Sequence, residues 1–424
     1  MSLSTNTLRV SLGPTEVGFL ELDSTGIELI RFTTTEAYRA LRSRPVLSQA
    51  LEDDLSQTWT SRVRAPAFFS NLLPEGVLRE LLAQRAGVNP AREFFVLAEL
   101  GEDLPGNVVV RPVGALDRSG DLDDELPATA VSPDEALRFS VAGLQLKFSV
   151  NARGAGWVLP VRGAGGRWLA KLPSQRFPLV PRNEYWMMRF ARAVGLAVPD
   201  VQLAPVESVE GLSPVLAPVA VSREPMALLV RRFDRTEAAE RIHTEDFLQV
   251  LNKHPGDKVK YNAASAEWVG RLVLALAPDR IDEVVNRFVF NVIIGNGDAH
   301  LKNWMLRYED GIRASLSPAF DLVSTIQYAD TDQHEYALKL GKSKRYVDFS
   351  VERLAAFAAK LSVPSLSRAP AADELVKKAL AFAEGALAAW PGFAKEHDVD
   401  SRFAATLRQH WQRVPLLRPF VGAP

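Results

Sequence analysis

Asn296-Gly297-Asp298-Ala299-His300-Leu301-Lys302-Asn303, with Phe320-Asp321-Leu322-Val323 further along the chain, is the stretch from which the rest of the sequence is read. An Asp and an Asn five positions apart, joined by a second Asp downstream, form an oxygen-rich set suited to phosphoryl transfer. Magnesium prefers hard oxygen ligands and takes only one or two from protein while phosphates and water complete its shell. On this reading Asp298 accepts or orients a substrate hydroxyl proton, and Asn303 and Asp321 are metal ligands. The competing reading is a plain turn, because Asn-Gly and Gly-Asp pairs mark turns wherever they occur. The spacing alone does not separate the two.

Other segments add context in a definite order. Phe69-Ser70-Asn71-Leu72-Leu73-Pro74-Glu75-Gly76 and Leu100-Gly101-Glu102-Asp103-Leu104-Pro105-Gly106 lie near the front. Ser140-Val141-Ala142-Gly143-Leu144-Gln145-Leu146-Lys147, Trp168-Leu169-Ala170-Lys171-Leu172-Pro173 and Asn183-Glu184 follow. Val230-Arg231-Arg232-Phe233-Asp234-Arg235 and Glu245-Asp246-Phe247-Leu248-Gln249 complete the set. With the Asp298–Asn303 stretch, which is similar to a protein-kinase catalytic loop, this series resembles the HipA family of serine/threonine kinases from about residue 8 to beyond residue 330. Two departures are visible: Arg231 stands where the hinge often has Glu, and Leu144 where the loop often has Ala.

The resemblance implies an α+β, bilobal protein-kinase-like fold. Residues 1–115 would form a small α+β N-terminal domain, 116–135 a linker, 136–235 a β-rich small lobe carrying the Ser140 loop and the hinge, and 236–424 a helical catalytic lobe. It further implies ATP and magnesium as cofactors. Lys171 and Lys147 would face the phosphates, Ala142 and Gly143 belong to the loop over them, Arg232, Phe233 and Asp234 to the adenine-side hinge, and His300 to the catalytic loop. Ser140 would be phosphorylated by the enzyme itself, with loss of activity. The expected biology is a growth-arresting or persistence toxin that modifies a cellular protein such as an aminoacyl-tRNA synthetase. A DNA-binding HipB-like antitoxin would neutralise it, with DNA engaged through that partner. Two other functions are weighed: a catalytically weak corepressor subunit that holds the antitoxin, and a small-molecule kinase. Retention of Lys171, Asp298 and Asp321 argues against the first, and the Ser140 and Phe69 segments against the second.

Residue by residue, local readings stand beside these. A strand lysine such as Lys171 usually lies at a solvent face, Glu184 suits a helix first turn as well as a partnership with Lys171, and Phe233 suits a core as well as a hinge. Ser140 by itself reads as a cap or turn residue. His300 serves equally to orient the loop by hydrogen bonding or to touch phosphate.

The whole chain sets wider bounds. Its 424 residues, 47% of them hydrophobic, suffice for two or three domains with buried cores. There is no cysteine, so disulfides, thiolate metal sites and catalytic thiols are excluded, which fits a reducing cytosol. No leader-like apolar core or long apolar span is evident, and a cytoplasmic location is expected. With 50 Lys plus Arg against 51 Asp plus Glu, the net charge of −1 argues against direct DNA binding as the main activity. The histidines lack zinc-hydrolase spacing, and the eight tryptophans are scattered.

Alternating apolar runs at 8–12, 16–22 and 27–32 predict a three-stranded meander, then helices from Glu75 and over 91–100. Residues 145–150, 157–161 and 167–172 read as strands with glycine-bearing hairpin turns, 182–194 as a helix, and 199–205 and 226–232 as strands. From Thr244 the helical signal dominates. It includes the Val284, Val285, Phe288, Val289, Val292, Ile293 face just before Asp298, and helices over 353–361, 373–389 and 401–412.

Overall fold

The computed structural model describes residues 6–23, 28–118, 147–154, 156–158, 165–174, 177–211, 225–328, 335–362 and 369–421. By packing, the chain divides into two compact units that are discontinuous in sequence. The first comprises Met1–Pro178, Ala204–Gly256 and Arg307–Arg313, and the second Leu179–Leu203, Asp257–Leu306 and Ala314–Pro424. The packing boundary therefore cuts across the contiguous ranges expected from sequence: the helix Val180–Ala193 belongs with the second unit, and residues 236–256 with the first. Among the described residues no helix is long and apolar enough to cross a membrane.

The first unit opens with a five-stranded sheet in the spatial order Trp59–Arg62, Leu29–Thr34, Thr15–Asp23, Asn6–Leu12, Val108–Pro112. The three central strands are the expected meander. The two edges escaped sequence reading for physical reasons. Trp59–Arg62 is too short to show a period, and Val108–Pro112 returns to the sheet only after two helices, Gly76–Ala86 and Glu93–Leu100. One face of the sheet buries Leu8, Val10, Leu20, Ile30 and Phe32 against Phe68, Phe69, Phe94 and Phe95. Phe32 and Phe69 meet edge to face at 4.8 Å.

A second sheet in this unit carries Val209–Glu210, Gly156–Val158, Lys147–Arg153, Trp168–Lys171 and Met226–Arg231 in that order. The turn between Lys147–Arg153 and Gly156–Val158 is a hairpin, as the glycine pattern predicts, with Arg153 opposite Gly156.

The Leu100–Gly106 motif is held by charge. Arg241, half-buried among backbone carbonyls, donates to the C=O groups of Glu102 (3.0 Å), Leu104 (2.5 Å), Gly106 (2.9 Å) and Val108 (2.9 Å). Gly106 is left-handed at φ +68°, and a Cβ there would sit 2.8 Å from the Thr244 nitrogen, so this turn requires glycine. Its N–H donates to Asp234 Oδ2 at 2.9 Å.

The Glu245–Gln249 motif does two jobs. Asp246 caps the short helix Phe247–Val250, accepting from the Leu248 and Gln249 amides while Gln249 Oε1 accepts from the Asp246 amide, a reciprocal capping box. Glu245 is fully buried, where it accepts from the Tyr308 and Ser48 hydroxyls and from the Gln49 amide. His243 stacks on Tyr308 with ring centroids 5.3 Å apart and donates to the Leu47 carbonyl at 2.8 Å.

Burial pushes the Glu245 carboxyl from 4.5 up to about 7, against the opposing hydrogen bonds from Tyr308, Gln49 and Ser48. The unfolded chain ionises this group first, so its contribution to stability is complete below 4.5 and is lost as pH rises to about 7. His243 acts in the opposite sense, because burial lowers it from 6.5 to about 4 and its contribution is lost as pH falls through that range. The two slopes offset one another where they overlap. Glu245→Gln deletes the first slope alone. Urea titrations across pH 4.5 to 7 are expected to show the variant gaining on wild type as pH rises, by on the order of 3 kcal/mol in all. A difference that stays constant with pH would mean that the buried carboxyl holds no proton.

Candidate active site

The expected catalytic loop grows out of the end of one helix in the second unit. Ile281–Ile293 buries Val284, Val285, Phe288, Val289, Val292 and Ile293, the face predicted from sequence, and Phe288 stacks on Trp304 at 4.7 Å. The helix closes with reciprocal 5→2 and 6→1 bonds: Gly295 N–H to Val292 O (3.2 Å) and Asn296 N–H to Asn291 O (2.8 Å). Gly295 takes the left-handed conformation, φ +62°, that this stop requires. The remaining terminal carbonyls are met from the helix Ser401–Arg413, where His410 Nε2 and Trp411 Nε1 donate to Val292 O and Ile293 O, each at 2.7 Å.

Asn296, fully buried, ties the loop together. Its Oδ1 accepts from the Asp298 amide at 3.0 Å, and its Nδ2 donates to Asn291 Oδ1 at 2.8 Å and reaches the Asp321 carbonyl at 3.4 Å. The Asp298 carbonyl in turn accepts from His300 N–H at 2.7 Å and Asn303 Nδ2 at 2.8 Å. A carbonyl can only accept, so the Asn303 amide nitrogen must face it. The Asn303 oxygen is thereby left to face elsewhere. Thr325 braces the loop from behind, its hydroxyl accepting from Gly297 N–H at 2.8 Å and donating to the Gly295 carbonyl at 3.0 Å.

Asp321 has a left-handed backbone, φ 54°, a conformation that costs most residues on the order of 1 kcal/mol and that Asp tolerates better than most. The segment after it is fixed by Asn183, whose Nδ2 donates to the Ser324 carbonyl (3.0 Å) while its Oδ1 accepts from the Ser324 amide (2.9 Å). The Asn183-Glu184 motif thus has a structural task. Glu184 is buried beside it on the same helix.

Asn303 and Asp321, the two expected metal ligands, line one small pocket with Asn296, Asn291 and Arg287. Among the described residues no group of three or more His, Cys, Asp or Glu side chains could hold a metal by itself. One amide oxygen and one carboxylate fit a magnesium ion that takes its other ligands from phosphate and water, and they would not make an all-protein cage. The Asp298 side chain is half exposed, and His300 Nε2 stands 3.8 Å from its Oδ1.

Within the first unit, strand register sets Lys147 directly opposite Lys171 on neighbouring antiparallel strands, with Lys171 buried and Lys147 exposed. Directly opposed residues share a face, and two like charges there repel unless an anion lies close to both.

The hinge carries a buried cluster of charges. Arg232 binds Asp234 in two-pronged fashion (2.8 and 2.7 Å) and donates to Ser149 Oγ at 2.8 Å, and Arg235 donates to Asp234 Oδ2 at 2.9 Å. Burial alone would raise the Asp234 carboxyl, but the adjoining Arg232 guanidinium and Arg235 hold it down at about 2. The Arg232 amide is also taken, donating to the Arg167 carbonyl at 2.9 Å. The side chains of Arg232 and Asp234 thus tie the hinge to Gly106. Phe233 lies between them in sequence. Arg231, the departure from the hinge pattern, pairs with Glu237 at the surface. Ser140, Ala142 and Gly143 lie outside the described residues.

Sequence reading missed the residues that shape the loop: Asn291, Asn296 as a bridge, Thr325, and Tyr261, whose hydroxyl donates to Asp298 Oδ1. Asn291 did leave a signal, a lone amide in the apolar run Phe288-Val289-Phe290-Asn291-Val292-Ile293. Tyr261 left none, being 37 residues from its partner.

Residues 8–111 match the family described as HipA N-terminal domain, and residues 139–387 that described as HipA-like C-terminal domain. "Putative kinase Y4dM" of Sinorhizobium fredii is 40% identical over 399 residues, which is 92% of this chain and 93% of that protein. "Serine/threonine-protein kinase toxin HipA" of Shewanella oneidensis is 24% identical over 402 residues, 85% of this chain and 84% of that one. Among solved structures, a chain of the Shewanella oneidensis complex of toxin–antitoxin proteins HipA and HipB with operator DNA superposes with a TM-score of 0.69 at 21% identity, over 98% of this chain and 97% of that one. The likeness establishes the mixed α+β, kinase-like fold.

Asn296→Ala is expected to orphan the Asp298 amide and the Asn291 carboxamide oxygen, at a cost of about 1–3 kcal/mol for each buried group left unsatisfied. Differential scanning calorimetry should show a lower Tm. A variant as stable as wild type would mean that the bridge is dispensable.

Proposed function

The chain belongs to the HipA family of kinases, and we propose that it is an ATP- and magnesium-dependent serine/threonine protein kinase acting as the toxin of a toxin–antitoxin pair. The observation that carries the proposal is the convergence of Asn296 bonds on both Asp298 and Asp321, which joins a half-exposed carboxylate to an Asn303–Asp321 pocket suited to magnesium. Serine/threonine specificity and a toxin role are supported by the likeness to the Shewanella oneidensis serine/threonine-protein kinase toxin HipA. A HipB-like antitoxin partner, with DNA reached through it, is supported by the solved complex to which the fold is similar.

Each residue then has a task. Asn303 and Asp321 would hold magnesium, and Lys171 and Lys147 would face the nucleotide phosphates, with backbone near Phe233 beside the adenine. When bound, Mg-ATP supplies the phosphoryl group and the charge neutralisation it needs. Asp298 orients the acceptor hydroxyl and takes its proton, while His300 and Asn303 keep the loop in register. Ser140 is proposed as a site of self-phosphorylation, where about −1.5 to −2 added charges beside a triphosphate would oppose nucleotide binding. The external acceptor is proposed to be a cellular protein, with an aminoacyl-tRNA synthetase as the family precedent.

Asp298→Asn is expected to lower transfer of labelled γ-phosphate by about 10²- to 10⁴-fold while leaving the melting temperature close to wild type. Asp321→Asn should fail for another reason, so ATP affinity is measured with and without magnesium. Wild type should gain affinity from the ion and the variant should not. An Asp298→Asn protein of full activity, or an Asp321→Asn protein with the full magnesium gain, overturns the corresponding assignment.

A further inference from the structure

The loop fixes the backbone of Asp298 at both its amide and its carbonyl, through Asn296, His300 and Asn303. None of those bonds fixes the carboxylate. A half-exposed Asp side chain retains torsional freedom, and a base that must present one oxygen to an acceptor hydroxyl loses rate for every orientation in which it does not. The carboxylate is held by a different element. Tyr261, on the short helix Asp257–Asn262, donates its hydroxyl to Asp298 Oδ1.

Tyr261 is itself firmly placed. Its ring meets the His300 imidazole edge to face, centroids 5.2 Å apart at 80°, and His300 flanks the same Asp298 oxygen. Behind it, Lys344 Nζ donates to the Tyr261 carbonyl (3.0 Å) and to Asn262 Oδ1 (3.1 Å), and the ammonium groups of Lys260 and Lys344 lie 5.5 and 5.8 Å from the ring centre. A carboxylate can only accept, so the phenol is the donor here. With Oδ1 engaged, Oδ2 is the oxygen left to receive the acceptor proton.

We propose that Tyr261 is a positioning residue for phosphoryl transfer, fixing the Asp298 carboxylate so that one oxygen is bonded to the phenol and the other faces the acceptor hydroxyl. The inference rests on the reading of Asp298 as the base, and deepens it. It assigns the catalytic orientation to a hydroxyl outside the loop, and it separates two functions within one residue: the loop sets where the Asp298 backbone lies, and the phenol sets where its side chain points.

Tyr261→Phe keeps the ring, its packing on His300 and the Lys344 tether, and removes only the donor. Steady-state transfer of labelled γ-phosphate from Mg-ATP, to the chain itself and to water, is measured for wild type, Tyr261→Phe, Asp298→Asn and the double variant. The expected result is a kcat lowered about 10-fold with the KM for ATP within about twofold of wild type, and no further loss when Tyr261→Phe is added to Asp298→Asn. An unchanged kcat overturns the proposal. So does a loss of the same size in the Asp298→Asn background, since a merely structural role would depress both backgrounds alike. An inactive Asp298→Asn beside an unaffected Tyr261→Phe defeats this inference alone, whereas a fully active Asp298→Asn defeats the base assignment beneath it.

Discussion

The carboxamide of Asn296 is the interaction on which the candidate site depends. It lies where three segments meet: the end of the helix Ile281–Ile293, the loop carrying Asp298, and the backbone of Asp321. A buried amide is costly unless its donors and acceptor are matched, and here each bond that offsets the desolvation also fixes a segment that chemistry needs. Stability and geometry are therefore coupled at this point. The helix supplies the rigid base, since its apolar face is packed on all sides and its terminal carbonyls are met by His410 and Trp411.

Around that point, polar groups of low individual worth act as a set. Asn183 holds the Ser324 backbone through two bonds, Thr325 braces Gly295 and Gly297, and Asn303 uses its nitrogen on Asp298 so that its oxygen is left for another ligand. Each contributes about 1 kcal/mol of net stability at most. Together they tie the segments that line the small pocket to one another.

The first unit solves a different problem, the burial of several charges. Arg232 and Arg235 are balanced by Asp234 and Asp103, and Arg241 is surrounded by four carbonyls of the Glu102–Val108 stretch. Buried ion pairs of this kind add little to stability against an apolar alternative, yet removing one member leaves a charge stranded. Asp234 also accepts from the Gly106 amide, which ties the turn to the charge cluster. Glu245 belongs with them, a buried carboxyl whose pKa burial raises to about 7 and whose oxygens accept from hydroxyls.

Local pattern was enough for the sequence to reveal the helix before the loop, the Asp298–Asn303 spacing, the central meander, the glycine hairpin and the order of family motifs, because each depends on residues a few positions apart. Only the tertiary structure decided what depends on contacts across long stretches of chain. Lys147 faces Lys171 through strand register, Asn183 reaches Ser324 across 141 residues, and Tyr261 reaches Asp298 across 37. The hinge shows the same limit from the other side. Nothing local to Arg232 and Asp234 shows that the Asp234 carboxylate accepts from Gly106, 128 residues away. A side chain's identity is local, but the partner that determines its role is set by how the chain packs.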